Sequence, residues 1–202
     1  MVRIDSPPPE RSTDPLIYCL DEGSSLLRLY RPNPYGSSAC GFRYEGPFSR
    51  FDHHVEGIRR GIHYSAMTFA GCIVEVFGDT GLIEPEGHQL GLLRTNRPIA
   101  VLDLRGPGAM RAGSVAALSA TADRRLSQAW ARFFYDACSM DGRPIEGLMY
   151  SNAHNSASAL ALFERAEGAL TCEHSLALSS HVLRSRLLAI ARDHAMSVVL
   201  AS

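Results

Sequence analysis

Apolar positions along this chain fall into short runs and two longer periodic stretches. Residues 26–30 (Leu-Leu-Arg-Leu-Tyr) are a compact apolar run ended by Pro32 and Pro34, which predicts a strand. Residues 61–66 predict a second strand, and 67–77, interrupted only by Gly71, a helix. The run Ile-Ala-Val-Leu-Asp-Leu at 99–104 stops before Gly106 and Pro107 and suits a buried strand. The clearest helix covers 123–137, where Leu126, Ala129, Trp130, Phe133, Phe134 and Ala137 recur on one face. Residues 148–151 and 159–163 predict two more strands. Residues 180–192 predict an amphipathic helix with Leu183, Leu187, Ile190 and Ala191 on one side, and 198–200 a closing strand. Strands and helices mix without a regular βαβ rhythm. The expected class is therefore α+β, one domain around a mixed or mostly antiparallel sheet with flanking helices. Both long helices are expected to belong to the core, with apolar edges that leave room for a homodimer.

The stretches between these elements carry their own signals. Residues 1–14 hold three consecutive prolines and several charges, and read as a flexible leader to a single domain over 15–202. Residues 33–51 are rich in Gly, Pro and Ser and predict a long loop, a length that is uncommon unless the loop serves a site.

Composition narrows the function classes. Net charge is -1, so no global basic field points to nucleic acid. No apolar run approaches the roughly 18 residues that cross a bilayer, and the leader lacks the apolar stretch of a signal peptide. A cytoplasmic chain is the expectation. The five cysteines are odd in number and have no Cys-x-x-Cys spacing, which disfavours a disulfide framework or zinc knuckle. Cys72, inside an apolar run, is expected in the core. All twenty basic residues are arginine, which excludes Schiff-base lysine chemistry and a P-loop lysine. His53, His54 and His63 are a weak metal candidate, because adjacent residues on a strand point to opposite faces. No metal is expected.

Four segments in order carry a resemblance. They are Leu29-Tyr30-Arg31-Pro32; the segment 46–52 (Gly-Pro-Phe-Ser-Arg-Phe-Asp); Gly61-Ile62-His63-Tyr64-Ser65-Ala66 followed by 72–77 with Glu75; and Gly147 through Asn152 followed by 161–166 (Ala-Leu-Phe-Glu-Arg-Ala). Between them lie 101–104 (Val-Leu-Asp-Leu) and 127–131 (Ser-Gln-Ala-Trp-Ala). Together these resemble the RES domain, a family named for its Arg, Glu and Ser, over residues 26–170. The resemblance implies a fold similar to the ADP-ribosyltransferases of the diphtheria-toxin type. It further implies a toxin that consumes NAD as substrate, by hydrolysis, phosphorolysis or ADP-ribosyl transfer, and an Xre-type helix-turn-helix antitoxin as partner. A catalytically impaired NAD- or partner-binding protein is the alternative.

The residue types suit that chemistry. Loss of nicotinamide passes through an oxocarbenium-like state, which a nearby carboxylate stabilises. Glu75, in an apolar stretch, is the candidate. Arg31, and with it Arg50 in the Gly-rich segment, would hold phosphate or ribose oxygens through paired hydrogen bonds. Tyr64, eleven residues before Glu75, would stack on the nicotinamide ring. The resemblance departs at the end of the fourth segment, where the position of the family's serine holds Asn152 beside Ser151. Either the Asn152 amide takes over the hydrogen bond, or a bulge brings Ser151 in, or the activity is altered. His154 lies close by in the sequence.

Overall fold

The computed structural model describes residues 3–33 and 37–199. Its elements run β1 (Ile17–Leu20), β2 (Ser25–Tyr30), β3 (Ile62–Ala66), α1 (Phe69–Phe77), β4 (Leu82–Ile83), β5 (Gln89–Thr95), β6 (Ile99–Asp103) and α2 (Gly108–Arg111). They continue with α3 (Arg124–Ala137), β7 (Ser139–Met140), β8 (Arg143–Pro144), β9 (Gly147–Ser151), β10 (Ser158–Phe163), β11 (Leu170–Ala177), α4 (His181–Asp193) and β12 (Ser197–Val198). Eight strands form one mixed sheet in the order β1-β6-β9-β10-β3-β2-β5-β11. Only the β6–β9 pairing in it is parallel. This is the expected α+β domain with flanking helices.

The sheet has a weak seam. β10 pairs with β3 over five residues, and β2 pairs with β5 over six. β2 and β3 share only the Leu27–Ala66 pair, so their far ends part. The segment between them, which crosses the expected long loop, folds over this opening. Arg43 in that loop exchanges backbone hydrogen bonds with Ile62 at 2.8 and 2.9 Å.

Apolar side chains fill both faces. On one, α3 contributes Trp130, Ala131 and Phe134 to a core with Phe51, Leu102, Leu148, Tyr150 and Phe163. Beside it, α1 and α4 pack Ile73, Phe77, Leu183 and Leu187 against Leu90 and the β2 residues Leu27 and Leu29. The opposite face buries Leu26, Leu93, Val101, Met149, Leu160 and Leu162. Full burial of each large aliphatic or aromatic side chain contributes about 1.5–3 kcal/mol, so these clusters carry most of the stability. Cys72 is buried as expected.

Helix ends follow local chemistry. The Thr68 side chain accepts from Gly71 N at the start of α1, and Asp123 accepts from Leu126 N at the start of α3. The buried face of α3 differs from the expected stripe. Ser127, Gln128, Trp130, Ala131 and Phe134 are buried, whereas Ala137 is exposed. The 46–52 segment draws Gln128 inward, its Nε2 donating to Ser49 O at 3.0 Å, while the buried Ser127 hydroxyl donates back to Arg124 O at 3.1 Å within its own helix.

The flanking segments bear on two expectations. Residues 3–14, expected as a flexible leader, touch the body at several points. Ile4 packs on the α3 core, Trp130 Nε1 donates to Asp5 O at 2.8 Å, and Arg11 donates to Met110 O and Ser114 O. The buried indole needs an acceptor, and the leader backbone supplies it. The closing strand is Ser197–Val198, parallel to β4; Leu200 lies outside the described residues.

Candidate active site

α1 straddles the seam and carries Glu75 on the side turned away from Ile73 and Phe77. The Glu75 carboxylate meets the end of β9. Tyr150 Oη donates to Oε1 at 3.3 Å, and Asn152 Nδ2 donates to Oε2. Both partners are 2% exposed, so the carboxylate end sits among buried groups although Glu75 as a whole residue is exposed. Burial raises the Glu75 pKa above the ordinary glutamate value, against the lowering effects of Tyr150, Arg50, His154 and Asn152. The Tyr150 hydroxyl is pushed well up by burial and by the charge of Glu75.

Asn152 is oriented by the turn it begins. Its Oδ1 accepts from His154 N at 2.8 Å, and its backbone closes the loop to Ala157 and Ser156. An oxygen occupied in this Asx turn leaves the amide NH2 for Glu75. A serine at this position would have a single hydroxyl for both tasks. Ser151, on β9, pairs in register with Ser158 and is half-buried.

Around Glu75 lies a small polar cleft of about 150 Å³, lined also by Ser49, Arg50, Asp79, Ser119, Arg124, Tyr150 and His154. Arg50 donates to Thr121 O, and Arg124 Nη1 donates to Phe48 O at 2.8 Å. His154 Nε2 lies 3.3 Å from Asp79 Oδ1. Gly78 makes room for His154, since a Cβ there would stand 2.6 Å from the imidazole ring.

A buried carboxylate holds the loop that carries Arg50. Asp52 is fully buried and accepts from Phe48 N (2.6 Å), Ser49 N (2.9 Å), Tyr64 Oη (2.9 Å) and Arg43 Nη2, which reaches both oxygens at 2.7 and 2.8 Å. Burial alone would raise its pKa, but the hydrogen bonds from Arg43, Ser49 and Phe48 win and lower it. Tyr64 Oη also accepts from Phe51 N at 3.1 Å. Phe51 packs against Tyr150 at a tilt, with ring centroids 4.8 Å apart.

The structure thus brings Glu75, Arg50 and Asn152 together and joins them to Tyr150 and Arg124. Tyr64 lines a different cavity, of about 480 Å³, with Arg28, Phe42 and Arg43. Arg31 sits elsewhere. It is exposed, and its Nε donates to His88 Nε2 at 3.0 Å. It shares strand parity with Leu27 and Leu29, whereas Arg28, one face over, reaches Gly41 O and His63 Nδ1 inside the larger cavity. Burial lowers the Arg28 pKa to about 10. Tyr150 as a partner of Glu75, and Arg124 on the cleft wall, are not marked by any motif in the sequence. Strand alternation counted from Leu27 and Leu29 was the signal that separates Arg28 from Arg31.

His53 and His63 are buried; His53 Nε2 meets Glu164 at 3.0 Å, with Tyr135 on the other carboxylate oxygen. Among the described residues no group of three or more His, Cys, Asp or Glu is placed to hold a metal ion, and no helix is long and apolar enough to cross a membrane.

The fold and this cleft define an α+β domain of recognisable family. The RES domain model matches residues 26–183, and the chain belongs to that family. Among solved structures, it is similar to the crystal structure of the M. tuberculosis MbcT–MbcA toxin–antitoxin complex. The likeness has a TM-score of 0.57 and 17% identity, over 85% of this chain and 92% of that one. No curated protein matches.

Proposed function

We propose that this chain cleaves the nicotinamide–ribose bond of NAD. One observation carries the reading: the Glu75 carboxylate is fixed by Tyr150 and Asn152 at the floor of a polar cleft that also holds two arginines. A carboxylate oriented in advance stabilises positive charge as it grows at the ribose C1′, without reorganising at the moment of reaction. The departing nicotinamide is neutral once the bond electrons move to it, and water or phosphate then captures the carbon. In this account Arg50 holds the phosphate side of the substrate. Tyr64 acts by position, because its hydroxyl is committed to Asp52 and Phe51. Asn152 takes the place of the family's serine and keeps Glu75 turned into the cleft.

The test is nicotinamide release from NAD by purified protein, with Glu75→Gln beside it. Release by the wild type and its loss in the variant support cleavage. Wild-type protein that leaves NAD intact with phosphate or cell lysate added would refute it. Residual activity shared by both proteins would also refute the role of Glu75.

We also infer an antitoxin partner, since the similar solved structure is a toxin–antitoxin complex. The protein acts as a toxin in this reading, and the partner covers the cleft around Glu75. NAD and a cognate antitoxin should compete for binding; independent binding would place the partner on another face.

A further inference from the structure

Many arginines of this chain sit within ion-pair distance of an acid outside the cleft, among them Arg43, Arg60, Arg94, Arg97, Arg105 and Arg111. Among the arginines without such an acid partner in the described residues, Arg50 and Arg124 are the two that line the cleft holding Glu75. They come from opposite walls and tie those walls together. Arg50, in the 46–52 segment, donates to Thr121 O just before α3, and Arg124, in the first turn of α3, donates back to Phe48 O. Each guanidinium has five N–H donors, so these bonds fix its position and leave most donors for something else. The negative groups in the cleft are already engaged. Glu75 holds Tyr150 and Asn152, and Asp79 faces His154.

We propose that Arg124 joins Arg50 in gripping a diphosphate, so that the cleft selects a dinucleotide over a nicotinamide ribonucleoside lacking phosphate. This rests on the NAD reading above and extends it to a residue on α3. Two cations on opposite walls match two adjacent phosphates, and guanidinium suits phosphate oxygens by its planar fork. The Ser49 and Ser119 hydroxyls lie in the same lining. The segment–helix contact thereby becomes part of substrate recognition as well as a fold contact.

The experiment compares Arg124→Gln and Arg124→Lys with the wild type in three readings: KM and kcat for NAD, the same constants for nicotinamide riboside, and ADP binding by calorimetry. A charge-assisted hydrogen bond lost on Arg124→Gln corresponds to about a ten- to hundredfold rise in KM for NAD and in Kd for ADP. The kcat for NAD and both constants for nicotinamide riboside stay near wild type, and Arg124→Lys recovers part of the loss. An equal loss on NAD and on nicotinamide riboside means that Arg124 only clamps the loop, and overturns the proposal. So does ADP binding that is absent in the wild type or indifferent to Arg124. If no substrate is cleaved but ADP binds and Arg124→Gln weakens it, the grip stands and the cleavage reading falls. If NAD is cleaved with unchanged KM in Arg124→Gln, the cleavage reading stands and the grip falls.

Discussion

Replacing Asp52 by alanine tests the architecture of the site at its most connected point. The substitution removes a fully buried carboxylate that collects hydrogen bonds from Phe48 N, Ser49 N, Tyr64 Oη and Arg43. Breaking a buried charged pair by deleting one partner typically costs about 3–5 kcal/mol. Two backbone N–H groups and a tyrosine hydroxyl lose their acceptor as well, each worth about 1–3 kcal/mol if it stays buried and unpaired. The Arg43 side chain keeps 27% of its exposure and can turn to water, which offsets part of this. The expected loss is therefore about 4 kcal/mol, near the middle of the buried-pair range. With a urea m-value of about 2 kcal/mol/M, the unfolding midpoint falls by roughly 2 M. Trp130 is the only tryptophan and is buried, so its fluorescence reports the transition directly. A companion Arg43→Ala variant and the double variant complete a cycle, with a coupling of about 0.5–3 kcal/mol expected for residues in contact. A midpoint within 0.5 M of wild type for Asp52→Ala (about 1 kcal/mol at that slope) would refute the reasoning. The folded Asp52 pKa is depressed, so its contribution is present above the unfolded carboxylate value and fades as pH falls through the folded one.

Four further outcomes follow. Glu75→Gln abolishes NAD loss yet leaves the thermal midpoint at neutral pH unchanged or raised: the folded pKa is raised, so ionised Glu75 opposes folding as pH increases through that value. NAD cleavage by the wild type, which needs the Glu75 carboxylate, falls as pH drops through a pKa above that of ordinary glutamate, and a profile midpoint at or below the ordinary value would count against Glu75. Arg31→Ala keeps KM for NAD within about twofold, because Arg31 is engaged with His88 outside the cleft, whereas Arg50→Ala raises it about tenfold or more, the scale of a lost charge-assisted hydrogen bond; equal effects would return Arg31 to the site. Deleting residues 1–12 exposes Trp130 and red-shifts its emission, since Ile4 and the Asp5 carbonyl cover the indole, and an unchanged spectrum would refute that cover.

Much of this was legible in the sequence where a local rule governs the outcome. β2, β3, α1, α3, β9, β10 and α4 appeared because each combines an apolar period with its own cap or breaker, such as Thr68 or Asp123. β5 did not, because Gly91 interrupts its run; the glycine is there for the loop, as a Cβ would stand 3.0 Å from Ala39 Cβ. β11 was silent because Thr171 to Leu176 face solvent at the sheet edge, so no burial pattern is written into them. In the site, Glu75, Arg50 and Asn152 were legible through the resemblance. Arg124 carries no motif of its own, because its contact depends on a segment 76 positions away folding back onto α3. Arg31 was placed by motif, and a shift of three along a strand decides which face an arginine serves.

The single Leu27–Ala66 pair between β2 and β3 divides the hydrogen-bond ladder of the sheet into two plates along one line. α1 lies across that line, and Glu75 rides on it while Tyr150 and Asn152 belong to the β9 plate. In the proposed reaction, the alignment of Glu75 with Tyr150 and Asn152 depends on the two plates keeping their relative position. Backbone amides of β2, β5 and β11 should exchange with solvent as one cooperative group, and those of β3, β10, β9 and β6 as another. A molecule that wedges the plates apart would silence the carboxylate without touching it.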